Sequence, residues 1–240
     1  MQAVVKIIGY ILLLANFASS GVLPVDKCKL EDSECMLNAF QKALPTFIVG
    51  IPELRTDVLD VMQMDDVSFD LSGLQFSLKN GQLEGLKNTK FDMASFNTAE
   101  KKIIMKFHFD GECKGDYTAG GSIFGLPIKG KGKFGLLFKN LLIDIKINYD
   151  LLKKSGKTYI DPKKVDFNYE IIDNAKFDLT NLFDGRKDLS DSMHEALNSQ
   201  WKSVSVDFGQ PIVQTAVKKI FSNVKKFLKA QPLEEIAIFN

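Results

Sequence analysis

The sequence predicts an α+β fold in which a curved antiparallel sheet wraps a long C-terminal helix, and three observations carry that prediction. Apolar residues recur at Leu189, Met193, Leu197, Trp201, Val204, Phe208, Ile212, Ala216, Ile220, Val224 and Phe227, in steps close to the 3.6-residue period of an α-helix. Between Val67 and Leu179 the period is two, which gives strands with one apolar and one wet face, as in an antiparallel sheet exposed on one side. No internal repeat or low-complexity linker marks a second unit. A continuous helix from Leu189 to Leu228 reaches ~60 Å at the helical rise, and no heptad with opposed flanking charges makes it a coiled coil. A helix that long with one greasy face and a long, curling sheet with one greasy face solve each other's burial problem.

Taken in order, the first twenty residues read as a secretory signal peptide. Lys6 supplies a basic start, Ile7 to Phe17 an apolar run too short to span a bilayer, and Ala18-Ser19-Ser20 small residues for cleavage. Residues 21–240 then form a single domain. Cys28 and Cys35 are expected to pair in an oxidising compartment, stapling the mature N-terminus to the first helix. Cys113 is left over, either a buried inert thiol or a partner for another chain. Asp32-Ser33 can cap a helix carrying Met36, Leu37, Phe40, Leu44, Phe47 and Ile48 on one face, closed by Gly50 and Pro52.

Phe69 and Leu71, then Leu74, Phe76 and Leu78, read as strands, with Asn80-Gly81 as a turn. Met105, Phe107 and Phe109 alternate with Lys106, His108 and Asp110. The cleanest strand runs Leu141, Ile143, Ile145, Ile147, Tyr149, and Val165, Phe167, Tyr169, Ile171, Phe177 and Leu179 follow. Pro211 predicts a kink or break of the last helix near Phe208 to Gln210.

Composition narrows the function. The chain has 31 basic and 30 acidic residues, and removing Lys6 with the leader leaves 30 of each. It therefore has no global field for nucleic acid or an anionic membrane. The aromatic set is 19 Phe against 5 Tyr and 1 Trp, a bias toward the ring without a polar tip that suits an apolar core or cavity. Catalytic patterns are missing. His108 and His194 read as surface residues without the partners a triad requires. Gly120-Gly121-Ser122-Ile123-Phe124 fails as a nucleophile elbow because Phe124 stands where the second glycine belongs. No zinc spacing occurs. Gly130-Lys131-Gly132-Lys133 lacks phosphate-loop spacing, so Lys129, Lys131 and Lys133 read as the wet face of a strand. Lys218, Lys219, Lys225, Lys226 and Lys229 read as the solvent side of the last helix.

Several stretches together resemble the insect takeout and juvenile-hormone-binding protein family. They are Cys28 and Cys35 followed by Gly50-Ile51-Pro52-Glu53-Leu54, Gly115-Asp116-Tyr117 with Gly125-Leu126-Pro127-Ile128-Lys129-Gly130-Lys131-Gly132, and Asn181-Leu182-Phe183-Asp184-Gly185. Leu197-Asn198, Trp201 and the run Pro232 to Ile236 follow. The set covers the mature chain in order. The sequence departs from the family pattern at Val61, where proline often follows Leu-Asp, and at Cys113, which lacks the second-disulfide partner of the moth hormone carriers. The latter points to the takeout-like branch.

The resemblance implies an elongated hydrophobic tunnel between sheet and helix, of the tubular lipid-binding type. Periodicity alone leaves that interface solid or hollow. It further implies a secreted, non-enzymatic, monomeric carrier in haemolymph or another extracellular fluid. The partner is a small hydrophobic molecule such as a long-chain lipid, terpenoid or juvenile-hormone-like compound, with no cofactor, nucleic acid or stable membrane insertion. The alternative is an extracellular signalling protein, for feeding, circadian or chemosensory output, whose lipid is only structural. The candidate wall residues are Phe107, Phe109, Leu136, Phe138, Ile143, Ile145, Phe167, Tyr169, Trp201 and Phe208. The polar tips of Tyr169 and Trp201 suit a ligand head group.

Overall fold

The computed structural model describes residues 26–123 and 125–238; the expected leader lies outside them. Helix α1 (Ser33–Ile48) starts where Asp32 accepts the Cys35 N–H at 3.0 Å, as a capping carboxylate should. It buries Met36, Leu44 and Ile48. The Cys28–Cys35 disulfide ties it to β1 (Cys28–Lys29), with a Cα–Cα distance of 5.7 Å. Strand β1 pairs in parallel with β10 (Ala237–Ile238), so both ends of the described chain meet beside α1.

Among the described residues the main sheet has eight strands, antiparallel throughout. Its path runs β2 (Met62–Gln63), β4 (Leu74–Glu84), β6 (Lys102–Ile123), β8 (Gly130–Lys154) and β9 (Lys157–Leu179). Strands β3 (Val67–Leu71), β5 (Lys90–Asn97) and β7 (Leu126–Pro127) pair alongside β4, β6 and β6 respectively. The alternation read from sequence sets the faces: Met105, Phe107 and Phe109 on β6 and Leu141, Ile143, Ile145, Ile147 and Tyr149 on β8 are buried.

A straight strand of 25 residues would run ~80 Å, so the sheet has to bend. The pairing of β6 with β8 shifts register between Phe109 and Gly111, and that of β8 with β9 between Lys139 and Leu141. The two irregularities are fastened together, because Asn140 (φ +55°) donates its N–H to Asp110 Oδ1 at 2.7 Å. Backbone closes in at the bend. A Cβ on Gly85, which sits at φ +121°, would lie 2.2 Å from the Asp110 carbonyl oxygen, and one on Gly111 would lie 2.7 Å from the Phe138 ring. Only glycine fits such approaches.

The Asn80-Gly81 pair is not a turn. It lies inside β4, at an irregularity between Lys79 and Gln82. Asn80 takes the left-handed conformation (φ +51°) and donates to Asp116 Oδ2 at 2.8 Å. Strand β6 continues past this point, so the chain bulges instead of reversing. The reversal is at Ser72-Gly73, both at positive φ.

The C-terminal apolar run forms three helices: α2 (Lys187–Ser199), α3 (Trp201–Phe208) and α4 (Gln210–Ala230). The break at Gly209 falls where Pro211 predicts it. The break at Gln200 carries no proline or glycine; it has a tertiary cause. Helix α2 is strapped to β9, where Asn198 bonds both the N–H and the carbonyl of Phe177 at 2.7 and 3.1 Å, and His194 Nε2 accepts the Leu179 N–H at 2.9 Å. The strap holds α2 against β9 as far as Asn198, two residues before the break. His194 is thus a strap, its Nδ1 donating to the Ser190 carbonyl at 2.8 Å. His108 stays at the surface, paired with Asp92 at 2.9 Å. Helix α5 (Leu233–Ile236) closes the end of the molecule.

Not all of the α4 lysines are a solvated face either. Lys219 donates to the Gln63 carbonyl and Lys226 to that of Arg55, each at 2.6 Å, and Lys229 meets Asp161 at 3.0 Å. Lys129 and Lys133 do lie on the wet face, beside Asp184 and Asp116. Inside, the wholly buried Asn223 of α4 brackets Asp57, accepting its N–H at 2.9 Å and donating to its carbonyl at 2.7 Å.

Candidate functional site

The interface between sheet and helices is hollow at two levels. The first chamber, about 110 Å³, lies under the curl of β3, β4, the C-terminal part of β6, β8 and β9, with α3 and the first half of α4 as its floor. The second, about 180 Å³, lies between α1, β5, the N-terminal part of β6, α5 and the second half of α4. Both far exceed the ~10–15 Å³ that one water requires. Helix α4 serves both. Ile212, Val213, Ala216 and Val217 face the first chamber, Val224, Phe227 and Leu228 the second, and Ile220 touches both, as does Leu86. These two residues mark the partition. An aromatic chain crosses the same level, from Phe40 to Phe91 (5.7 Å between ring centroids), Phe107 (5.6 Å), Phe109 (6.5 Å) and Phe138 (5.4 Å).

Polar atoms are few and mostly spent. In the first chamber Ser205 Oγ donates to the Trp201 carbonyl and the Tyr169 hydroxyl to the Ser205 carbonyl, each at 2.7 Å. Burial, with Asp207 adding repulsion, pushes the Tyr169 phenol up to about 12. Cys113 is buried in the same wall, its Sγ 3.8 Å from Met64 Sδ, and burial pushes its thiol up to about 12, with Glu112 adding to the rise. A thiol so placed holds little thiolate with which to react. No Lys, Arg or His stands among the described lining residues of either chamber, and the one carboxylate, Asp26, is at the rim of the second. Asp26, Cys28 and Ala39 also border an outer cleft of about 400 Å³, where Lys42 pairs with Asp26 at 3.1 Å.

The structure brings most of the sequence-selected wall residues together. Phe109, Leu136, Phe138, Ile143, Tyr169 and Phe208 border the first chamber, and Phe107 the second. Ile145, Phe167 and Trp201 border neither. Ile145 is solid core at 2 % exposure, whereas Phe167 and Trp201 are half-buried. The expected head-group role of Tyr169 and Trp201 meets an obstacle in each case: the Tyr169 hydroxyl already donates to Ser205, and Trp201 stands outside both cavities beneath the Lys202 ammonium. Sequence reasoning missed the α1 contribution of Phe40, Leu44 and Phe47 to the second chamber, and it missed Thr89. The helical stripe of α1 was the available signal for the first three.

This architecture, a bent sheet closed over a broken helix with apolar space along it, is matched by known proteins. The sequence profile of haemolymph juvenile hormone binding protein matches residues 10–238. The chain belongs to that family. Within it, the fold superposes on the crystal structure of Takeout 1 from Epiphyas postvittana with a TM-score of 0.88 and 48% identity, over 90% of this chain and 100% of that one. The circadian clock-controlled protein daywake of Drosophila melanogaster is 27% identical over 233 residues, 88% of this chain and 86% of that one. The juvenile hormone-binding protein of Manduca sexta is 31% identical over 88 residues, 35% of this chain and 38% of that one. The Cys28–Cys35 disulfide of this family member is formed. Among its described residues no helix is long and apolar enough to cross a membrane.

Proposed function

We propose that this chain is a secreted carrier that encloses an elongated hydrophobic molecule, a long-chain lipid or a terpenoid of the juvenile-hormone type. The observation that carries the reading is the alignment of two apolar chambers along one helix, with Leu86 and Ile220 in the walls of both. Membership of a family named for hormone binding and the likeness to Takeout 1 support it. Binding follows from burial. Each methylene taken from water is worth ~0.8 kcal/mol, so ten of them provide about 8 kcal/mol, the scale of micromolar affinity. A ligand longer than one chamber displaces the flexible ends of Leu86 and Ile220 and joins the two spaces. Binding is an equilibrium: the described lining of both chambers is apolar save for Tyr169, Ser205, Thr89 and Asp26, and the ligand leaves as it came.

Native mass spectrometry of protein secreted from insect cells, followed by solvent extraction, tests the proposal. A stoichiometric lipophile is the expected outcome. A clean apo mass that also ignores fatty acids and juvenoids sinks it. One observation favours a signalling role with structural lipid, the likeness over 88% of the chain to a circadian clock-controlled protein. A partner that binds equally with and without lipid is the result that would select it.

A further inference from the structure

Among the described residues, two buried side-chain oxygens have no hydrogen-bond partner, Asp161 Oδ1 and Thr89 Oγ1. The first is answered by Lys229 Nζ at 3.0 Å. Thr89 has nothing. Its residue is 3 % exposed and stands in the wall of the second chamber. A buried hydroxyl without a partner is costly, and native structures leave few of them. Its backbone, in contrast, is held on every side. The Thr89 N–H donates to the Leu86 carbonyl at 3.1 Å, its carbonyl accepts Gln41 Nε2 at 3.0 Å, and the same Gln41 accepts the Phe91 N–H through Oε1 at 3.1 Å. One α1 side chain thus fixes the peptide on both sides of Lys90 and sets where the Thr89 side chain sits. The hydroxyl is pre-placed, unsatisfied, and set in a wall whose other described members are apolar except Asp26 at the rim.

We propose that Thr89 is the polar anchor of the second chamber, and that the molecule held there carries an uncharged oxygen, as an ester, ketone or alcohol does, on an apolar body. This rests on the carrier reading above. A hydroxyl both donates and accepts, so it serves a carbonyl, an ether oxygen or an alcohol alike. The charge balance of the wall excludes an ionised head. A carboxylate seated at Thr89 would be buried with no cation among the described lining residues, and the nearest charge in that wall, Asp26, has its own sign. The chamber volume of about 180 Å³ exceeds the ~150 Å³ of an apolar cavity that accepts benzene. It therefore takes the head and the first carbons, and the rest of the chain runs past Ile220 into the first chamber.

The test uses the full chain with three probes, methyl laurate, lauric acid and tetradecane, competed against a fluorescent apolar reporter at neutral pH. Thr89→Val keeps the shape and removes the hydroxyl; Thr89→Ser keeps the hydroxyl. The expected result is that Thr89→Val weakens methyl laurate by roughly five- to tenfold, the worth of one hydrogen bond, and changes tetradecane less than twofold. Thr89→Ser retains the ester affinity, and wild type prefers the ester to the acid by at least about tenfold, as an unpaired buried charge requires. Equal weakening of ester and hydrocarbon by Thr89→Val, or no weakening of either, overturns the anchor. A Thr89→Ser variant as weak as Thr89→Val overturns it too, because packing would then explain the loss. Acid bound as tightly as ester overturns the neutral-head requirement. If wild type binds none of the three probes, the carrier reading itself fails, an outcome distinct from all of these.

Discussion

The two chambers are both apolar, yet they are built differently. The first is roofed by long strands whose ladders run from β4 through β6 and β8 to β9 beyond the bend, interrupted at the Asn80-Gly81 bulge. Opening it means breaking backbone hydrogen bonds in register. The second is roofed on one side by α1, which meets β5 through side chains and is fastened by one disulfide, and it is closed at its end by the two-residue strands β1 and β10 and the single turn of α5. Regions held by side-chain contacts open at lower free energy than ladder-bonded cores. The difference teaches that hydrophobicity selects what goes in, while the kind of wall decides where it goes in and out.

Perturbing three places in the molecule sharpens or breaks this comparison. The largest effect is expected in the tight chamber. With its pKa raised from 9.0 to about 12, Cys113 holds roughly a thousandfold less thiolate than an ordinary thiol at pH 8, so maleimide or disulfide reagents label it at least that much more slowly than the unfolded chain. Prompt labelling would show that the first chamber breathes as freely as the second. Tyr117 and Tyr169 are likewise raised to about 12, chiefly by burial. For all three groups the folded state holds its proton where the unfolded state has lost it, so their contribution is fully present below the unfolded values near 9 to 10. It is lost as pH rises through that window toward 12. Burial raises Tyr149, beside Phe96 of the second half, as well. Alkaline unfolding should therefore reach both halves and weigh most on the first, with the absorbance change of these tyrosines appearing only as structure is lost.

Next comes the bend between the halves. Gly85→Ala places a Cβ against the Asp110 carbonyl at a backbone angle that L residues rarely adopt. It should cost at least about 3 kcal/mol, on the order of a hundredfold in the folding equilibrium, read as a shift in the urea midpoint. A loss of ligand binding confined to one chamber would show that the halves fold independently.

The smallest of the three is removal of the staple. Cys28→Ser with Cys35→Ser opens a loop with a separation of seven residues, worth about 2.5 kcal/mol in the chain-entropy account. Amide exchange of α1 should accelerate by tens of fold while β6 and β8 keep their protection. Uniform acceleration across the sheet would abolish the distinction between the two walls.

Much of this was legible in the sequence, and the exceptions have a common cause. Period two and period 3.6 set the inward faces of β6, β8, β9 and α1, because alternation is a local property of the chain. The bulge at Asn80, the stapled bend at Asp110 and Asn140 and the break at Gln200 depend on what the neighbouring element does, and no local pattern encodes them. The same holds within the site. Alternation puts Ile143 and Ile145 on one face with equal force, but only Ile143 borders a cavity, since the gap between sheet and helix is a tertiary quantity. Thr89 is the extreme case: its significance is an absent partner, which a sequence does not display.

The pairing of β1 with β10 carries a consequence for the order of events during synthesis. Cys28 is opposite Ala237 in register, and Cys28, Leu233 and Ala237 all belong to the wall of the second chamber. A ribosome delivers Cys28 long before it delivers Leu233 and Ala237. The strands that roof the first chamber can zip as they emerge, and its floor follows with α3 and α4. The second has no end wall until Leu233 to Ala237 are free of the ribosomal exit channel. Until then that half of the protein is an open trough, and it closes only with the seating of a four-residue helix and a two-residue strand.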